Sequence, residues 1–132
     1  MTWTLSINLE TEPDTLRVAR RMIYATVKQE GLSDERAREL ELATGEALSN
    51  ARAHAYADGV GPVTVDLASQ TEAFVVAIHN AGKPVSPPTV PTSLPSYPAG
   101  MGLYLIAAMV DDVKIKTNGK GQGLSITMTK RR

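Results

Sequence analysis

Trp3, Leu5, Ile7 and Leu9 alternate with polar residues at the start of the chain, the period-two pattern of a half-buried strand. The period then lengthens. Thr11-Glu12-Pro13-Asp14 offers a capping hydroxyl, an early proline and acids for a first helical turn. Leu16, Ala19, Ile23 and Val27 follow at helical spacing, and Gly31 fits a C-terminal cap. Ser33 is a good N-cap for a second helix running to about Ala57; it is alanine-rich, with Leu40, Ala43, Ala47 and Ala51 available for one closely packed face. Period two returns at Val63, Val65, Leu67 and again at Phe74, Val76, Ile78, with Ser69-Gln70-Thr71-Glu72 as the hairpin loop between them.

The stretch from Gly82 to Gly100 breaks every period. It holds six of the eight prolines, Pro84, Pro87, Pro88, Pro91, Pro95 and Pro98, which remove backbone donors and block regular structure. A structureless loop longer than about 12–15 residues is uncommon in a compact domain and is usually functional or disordered. Gly100-Met101-Gly102 then opens an apolar helix from Leu103 to about Val110, and Val113–Thr117 with Leu124–Lys130 reads as a closing hairpin. The order β-α-α-β-β-loop-α-β-β predicts an α/β protein: a two-layer sandwich with a mostly antiparallel five-stranded sheet and about three helices on one face. A length of 132 residues makes residues 1–132 a single domain.

Composition narrows the chemistry. Fourteen Lys+Arg balance fourteen Asp+Glu, and this zero net charge argues against a broad electrostatic grip on nucleic acid or anionic membrane. The absence of cysteine removes disulfides, thiol nucleophiles and cysteine-ligated metals, and two histidines, His54 and His79, are a poor basis for a zinc site. The start Met1-Thr2-Trp3-Thr4-Leu5 lacks the charged and apolar regions of a signal peptide, so a cytoplasmic location is expected.

Three features could carry chemistry. Glu46, Asn50 and His54 fall at i, i+4 and i+8 in the second helix, placing a proton acceptor beside a neutral oxygen ligand suited to Mg²⁺. Taken alone, such a stripe is more often a solvated polar face. Gly100-Met101-Gly102 precedes a helix, where glycines admit close backbone approach and the free amides favour phosphate. Ile78-His79-Asn80-Ala81-Gly82 brings polar side chains to a strand end just before a glycine. Gly119-Lys120-Gly121-Gln122-Gly123 imitates a phosphate loop, but Asn118-Gly119 between alternating strands reads as a hairpin turn.

Glu41-Leu42-Ala43-Thr44-Gly45-Glu46-Ala47-Leu48-Ser49-Asn50-Ala51-Arg52-Ala53-His54-Ala55-Tyr56 closely resembles the N box of the bacterial anti-sigma factor serine/threonine kinases, members of the GHKL ATPase superfamily, and it matches the E-A-x-x-N-A-x-x-H-A-Y core in full. Pro98-Ala99-Gly100-Met101-Gly102-Leu103-Tyr104-Leu105-Ile106 resembles the family's second glycine box, continued by Met109-Val110-Asp111-Asp112-Val113. The resemblance implies a Bergerat-type fold that binds ATP and Mg²⁺. It makes Glu46 the general base toward a substrate hydroxyl and Asn50 the Mg²⁺ ligand. It places Asn80, Gly82, Gly100, Met101, Gly102 and Leu103 against the nucleotide and makes the Pro-rich segment 83–99 the ATP lid. Where the family's first glycine box reads D-x-G-x-G, this sequence has Asn80-Ala81-Gly82-Lys83-Pro84.

The same resemblance implies a kinase of a partner-switching system. It would phosphorylate a STAS-type antagonist, bind that antagonist or a sigma factor, and form a homodimer. Two other readings stand beside it: a non-catalytic binding module with nucleotide structural or absent, and a switch kinase that activates a phosphatase.

Overall fold

The computed structural model describes residues 2–82, 88–95, 100–117 and 123–132. The strands are β1 (Trp3–Glu10), β2 (Pro62–Ser69), β3 (Ala73–Asn80), β4 (Asp112–Thr117) and β5 (Leu124–Arg131). The helices are α1 (Pro13–Gln29), α2 (Asp34–Asn50) and α3 (Met101–Met109), with a π-helical turn over Ala51–Ala55 following α2. The five strands lie in the order β1-β2-β3-β5-β4, every neighbouring pair antiparallel. Among the described residues, no helix is long and apolar enough to cross a membrane.

Alternation decides which face of the sheet is covered. Val63, Val65 and Leu67 of β2, Phe74, Val76 and Ile78 of β3, and Ile126 and Met128 of β5 are buried together with Ala19, Ile23 and Val27 of α1, Leu40, Ala47 and Leu48 of α2, and Leu103 and Ile106 of α3. The residues between them face the other way and stay partly exposed. There His79 meets Asp66 at 3.1 Å through Nε2 and Ser125 at 2.7 Å through Nδ1. His79 therefore points away from the helices, while Asn80 follows Val76 and Ile78 toward them.

Two local expectations are corrected. Thr11 is not the cap of α1. Glu12 occupies that position, and its N–H donates to Thr15 Oγ1 at 3.3 Å. The buried Thr11 hydroxyl instead donates to the Gly59 carbonyl and accepts from Gly61 N–H, tying β1 to the loop before β2. The second helix does not stay α-helical to Ala57. It ends at Asn50 and widens into the π turn, so exposed His54 is not separated from Asn50 by an α-helical spacing. Gly31 does follow α1 at φ 100, with Leu32 N–H donating to the Val27 carbonyl. The turn expected at Asn118-Gly119, Lys83 and Pro84, and residues 83–87 and 96–99 of the expected lid lie outside the described residues.

Candidate functional site

Helix α2 buries Ala43, Ala47 and Leu48, which leaves Glu46 and Asn50 half-buried beside the first turn of α3. Gly102 is what they meet. A Cβ built there would stand 3.1 Å from Glu46 Oε2, 3.4 Å from Asn50 Oδ1 and 3.6 Å from Asn50 Nδ2. Two motifs far apart in sequence thus close on one point, and the missing side chain leaves space in front of the carboxylate and the carboxamide.

Gly100 caps α3 with φ 81, a left-handed conformation that glycine adopts without strain. Its carbonyl accepts from Tyr104 N–H at 3.0 Å, so the amides of Met101, Gly102 and Leu103 precede the first intrahelical bond and have no partner within the helix. Pro91 and Pro95, from the described part of the Pro-rich loop, lie 3.4 and 3.8 Å from where a Gly100 Cβ would be. Leu103 has its side chain in the core, 9% exposed, so only its backbone is available to a ligand.

The end of β3 is tied down by its own contacts. Asn80 Oδ1 accepts from Gly82 N–H and from Leu124 N–H, both at 3.1 Å. Because both partners are donors, the oxygen must occupy this side of the carboxamide. Asn80 therefore clasps the end of β3 to the start of β5, where a Cβ on Gly123 would be 2.2 Å from the Asn80 carbonyl oxygen. At Gly82 a Cβ would be 2.2 Å from the Ala55 carbonyl oxygen, so only glycine allows the strand exit to pack on the π turn.

The far end of α3 is held by charge. Lys130, 4% exposed, donates to Glu39 Oε1 of α2 at 3.1 Å and to the Met109 carbonyl at 2.5 Å. Asp111 accepts from Arg131 N–H at 2.7 Å and from Arg36 at 3.3 Å. The Arg131 amide, followed by the charges of Lys130, Arg36 and Arg131, holds the Asp111 carboxyl below its usual range against the opposing effect of burial. A groove of about 540 Å³ beside this end is lined by Val90–Thr92, Tyr104, Ala107, Ala108 and Val110–Val113, away from Glu46, Asn50 and Asn80.

Of the residues the sequence singles out, the fold brings Glu46, Asn50 and Gly102 together, sets Gly100 at the start of the same helix as Gly102, and puts Asn80 and Gly82 at the exit of β3. The sequence alone assigns no role to Tyr56, whose hydroxyl joins Pro62 and Ala81, nor to Gly123. The one signal for Tyr56 in the sequence is its place at the end of the segment that resembles an N box.

Serine-protein kinase RsbW of Listeria monocytogenes serotype 4a is 25% identical over 137 residues, covering 96% of this chain and 85% of the relative. The RsbW of Oceanobacillus iheyensis is 27% identical over 137 residues, with the same shares covered. That of Bacillus licheniformis is 29% identical over 134 residues, covering 90% of this chain and 79% of the relative. A Mycobacterium tuberculosis structure of RsbU and RsbW domains superposes with a TM-score of 0.69 at 20% identity, a likeness of fold; it covers 98% of this chain, which spans 32% of that longer one. The model of the histidine kinase-like ATPase domain matches residues 9–130. With that match running from the end of β1 into β5, the chain belongs to the histidine kinase-like ATPase domain family.

Proposed function

We propose that the protein is an ATP-dependent serine/threonine protein kinase of the anti-sigma-factor type, acting on a STAS-type antagonist. The observation that carries the reading is the convergence of Gly102 on Glu46 and Asn50. The residues fit a magnesium nucleotide: Asn50 offers a hard, neutral oxygen, and Mg²⁺ is ordinarily held by one or two protein ligands together with phosphate oxygens. The space a Cβ at Gly102 would fill lies directly before that oxygen.

Asn50 Oδ1 would hold the cation, which when bound neutralises charge developing on the phosphoryl oxygens. The amides of Met101, Gly102 and Leu103 offer donors and the positive end of a helix to phosphate. Glu46 stands where it can take the proton from a serine hydroxyl as that oxygen attacks. Asn80 and Gly82 form the wall for the base, and the Pro-rich segment 83–99 acts as lid. Such a sparse set suffices because phosphoryl transfer depends on positioning and charge stabilisation more than on covalent chemistry. Binding to the antagonist or to a sigma factor, homodimerisation and a cytoplasmic location belong to the same proposal.

A second reading, a non-catalytic binding module, is favoured by Asn80. The family's aspartate is replaced there, and the carboxamide oxygen already accepts two backbone hydrogens. Incubation with labelled Mg-ATP and a candidate STAS protein separates the two. Label on a serine or threonine of the partner supports the kinase; binding of the partner without transfer to any cognate protein supports the module.

A further inference from the structure

Where the β2–β3 ladder ends, a side chain stands in place of a rung. The register pairs Val63 with Asn80, so its next step sets Pro62 opposite Ala81. Proline has no N–H, which leaves that step one possible backbone bond, from Ala81 N–H to the Pro62 carbonyl. Tyr56 takes both ends of it. Its hydroxyl accepts from Ala81 N–H at 2.9 Å and donates to the Pro62 carbonyl at 2.5 Å. The ring rests against Gly61, where a Cβ would lie 2.5 Å from ring carbons.

The inserted hydroxyl keeps Ala81 one oxygen's width from β2. The chain then runs into Gly82, whose close approach to the Ala55 carbonyl seats it on the π turn. That turn begins directly after Asn50, and Tyr56 is the residue that ends it. One side chain therefore sets the spacing between the strand exit and the helix that carries Glu46 and Asn50.

We propose that Tyr56 is a positioning residue for the nucleotide, its hydroxyl holding Asn80–Gly82 at the separation from Asn50 that lets one nucleotide reach both. The inference rests on the nucleotide-binding reading above. Tyr56→Phe keeps the ring and removes the wedge, allowing Ala81 N–H to pair directly with the Pro62 carbonyl and the strand exit to close toward β2. Mg-ATP affinity by calorimetry should fall about three- to tenfold, the equivalent of one neutral hydrogen bond. The KM for ATP should rise while kcat at saturating ATP is kept, a split that general loosening of the fold does not produce. In the wild type, Mg-ATP should slow hydrogen exchange at the Ala81 amide, a readout that needs no variant. Wild-type affinity in Tyr56→Phe, or exchange at Ala81 indifferent to Mg-ATP, overturns the role of Tyr56 and leaves nucleotide binding standing. A wild type that binds no Mg-ATP overturns the functional reading and this inference with it.

Discussion

Gly102→Ala tests the site by setting stability against binding. The added Cβ would stand 3.1 Å from Glu46 Oε2, closer than ordinary contact, and 3.4 Å from Asn50 Oδ1, at its limit. Both atoms are ends of side chains that can rotate aside, so the fold should absorb the methyl. Alanine gains up to about 0.8–1 kcal/mol over glycine within a helix, and less in a first turn, so the nucleotide-free protein should change by under about 1 kcal/mol. For a domain of this size that is a melting shift of at most about 3–5 °C. Binding has no such relief, because the rotation moves the carboxylate and carboxamide off the point they share. Losing one charge-assisted contact costs about 1.5–3 kcal/mol, or about 10- to 150-fold in affinity. The assay is thermal melting with and without Mg-ATP. At 100 times the dissociation constant wild type gains about 2.7 kcal/mol, whereas a hundredfold weaker variant at the same concentration gains only about 0.4. A variant destabilised by more than about 2 kcal/mol with its ligand-induced shift intact refutes the reasoning, since Gly102 would then serve packing alone.

Three further outcomes are expected. Glu46→Gln should bind Mg-ATP as wild type does and lose about 10²–10⁴-fold in transfer to a candidate STAS protein that wild type phosphorylates; equal transfer rates would reduce Glu46 to a solvated side chain. Asn80→Asp should keep both backbone bonds on one oxygen and present a second to the adenine amino group, tightening ATP several-fold and GTP not at all. Unchanged titrations would place the base elsewhere. Asp111 has a folded pKa below its unfolded value, so its contribution is present above about pH 3.9 and is lost as pH falls through the folded pKa. The Arg131 backbone N–H comes first among the causes, then the charges of Lys130, Arg36 and Arg131, and the gain should be small, as for exposed ion pairs of about 0.2–1 kcal/mol. Melting curves of Asp111→Asn should match wild type at the acid end and fall below it near neutral pH; a constant gap at every pH would show that the charge is not responsible.

The parts of the fold legible in the sequence are those set by local periodicity. Alternation at Val63–Leu67 and Phe74–Ile78 located two strands to within two residues at each end, since a slip of one would turn every apolar side chain to solvent. The spacing of Glu46 and Asn50 was equally local. What stayed hidden depends on distant partners. Nothing in Ala51-Arg52-Ala53-His54-Ala55 distinguishes a π turn from an α-helix; the widening accompanies Gly82 packed on the Ala55 carbonyl, a contact across the fold. Thr11 has the chemistry of a helix cap, and its hydroxyl went instead to Gly59 and Gly61. Asn80 presents a polar side chain at a strand end, but only the β3–β5 pairing shows that Leu124 N–H claims its oxygen.

Helix α3 shows how this division shapes the site. Its opening turn has to approach Glu46 and Asn50 closely, which excludes a side chain at Gly102 and favours the left-handed cap at Gly100. A nine-residue helix that begins so bare is weakly held there and must be anchored elsewhere. Leu103 and Ile106 supply one anchor in the core. The other is at the last turn, where buried Lys130 binds the Met109 carbonyl and Glu39 of α2. A buried ammonium is costly unless paired, so each partner is needed to keep the other in place. Lys130 also belongs to β5, the strand whose first amide is held by Asn80. The same strand thus braces the end of α3 remote from Gly102 and is clasped by Asn80 at its own start. The first turn of α3 can do without side chains of its own at Gly100 and Gly102 because the ion pair and the strand do the holding at a distance.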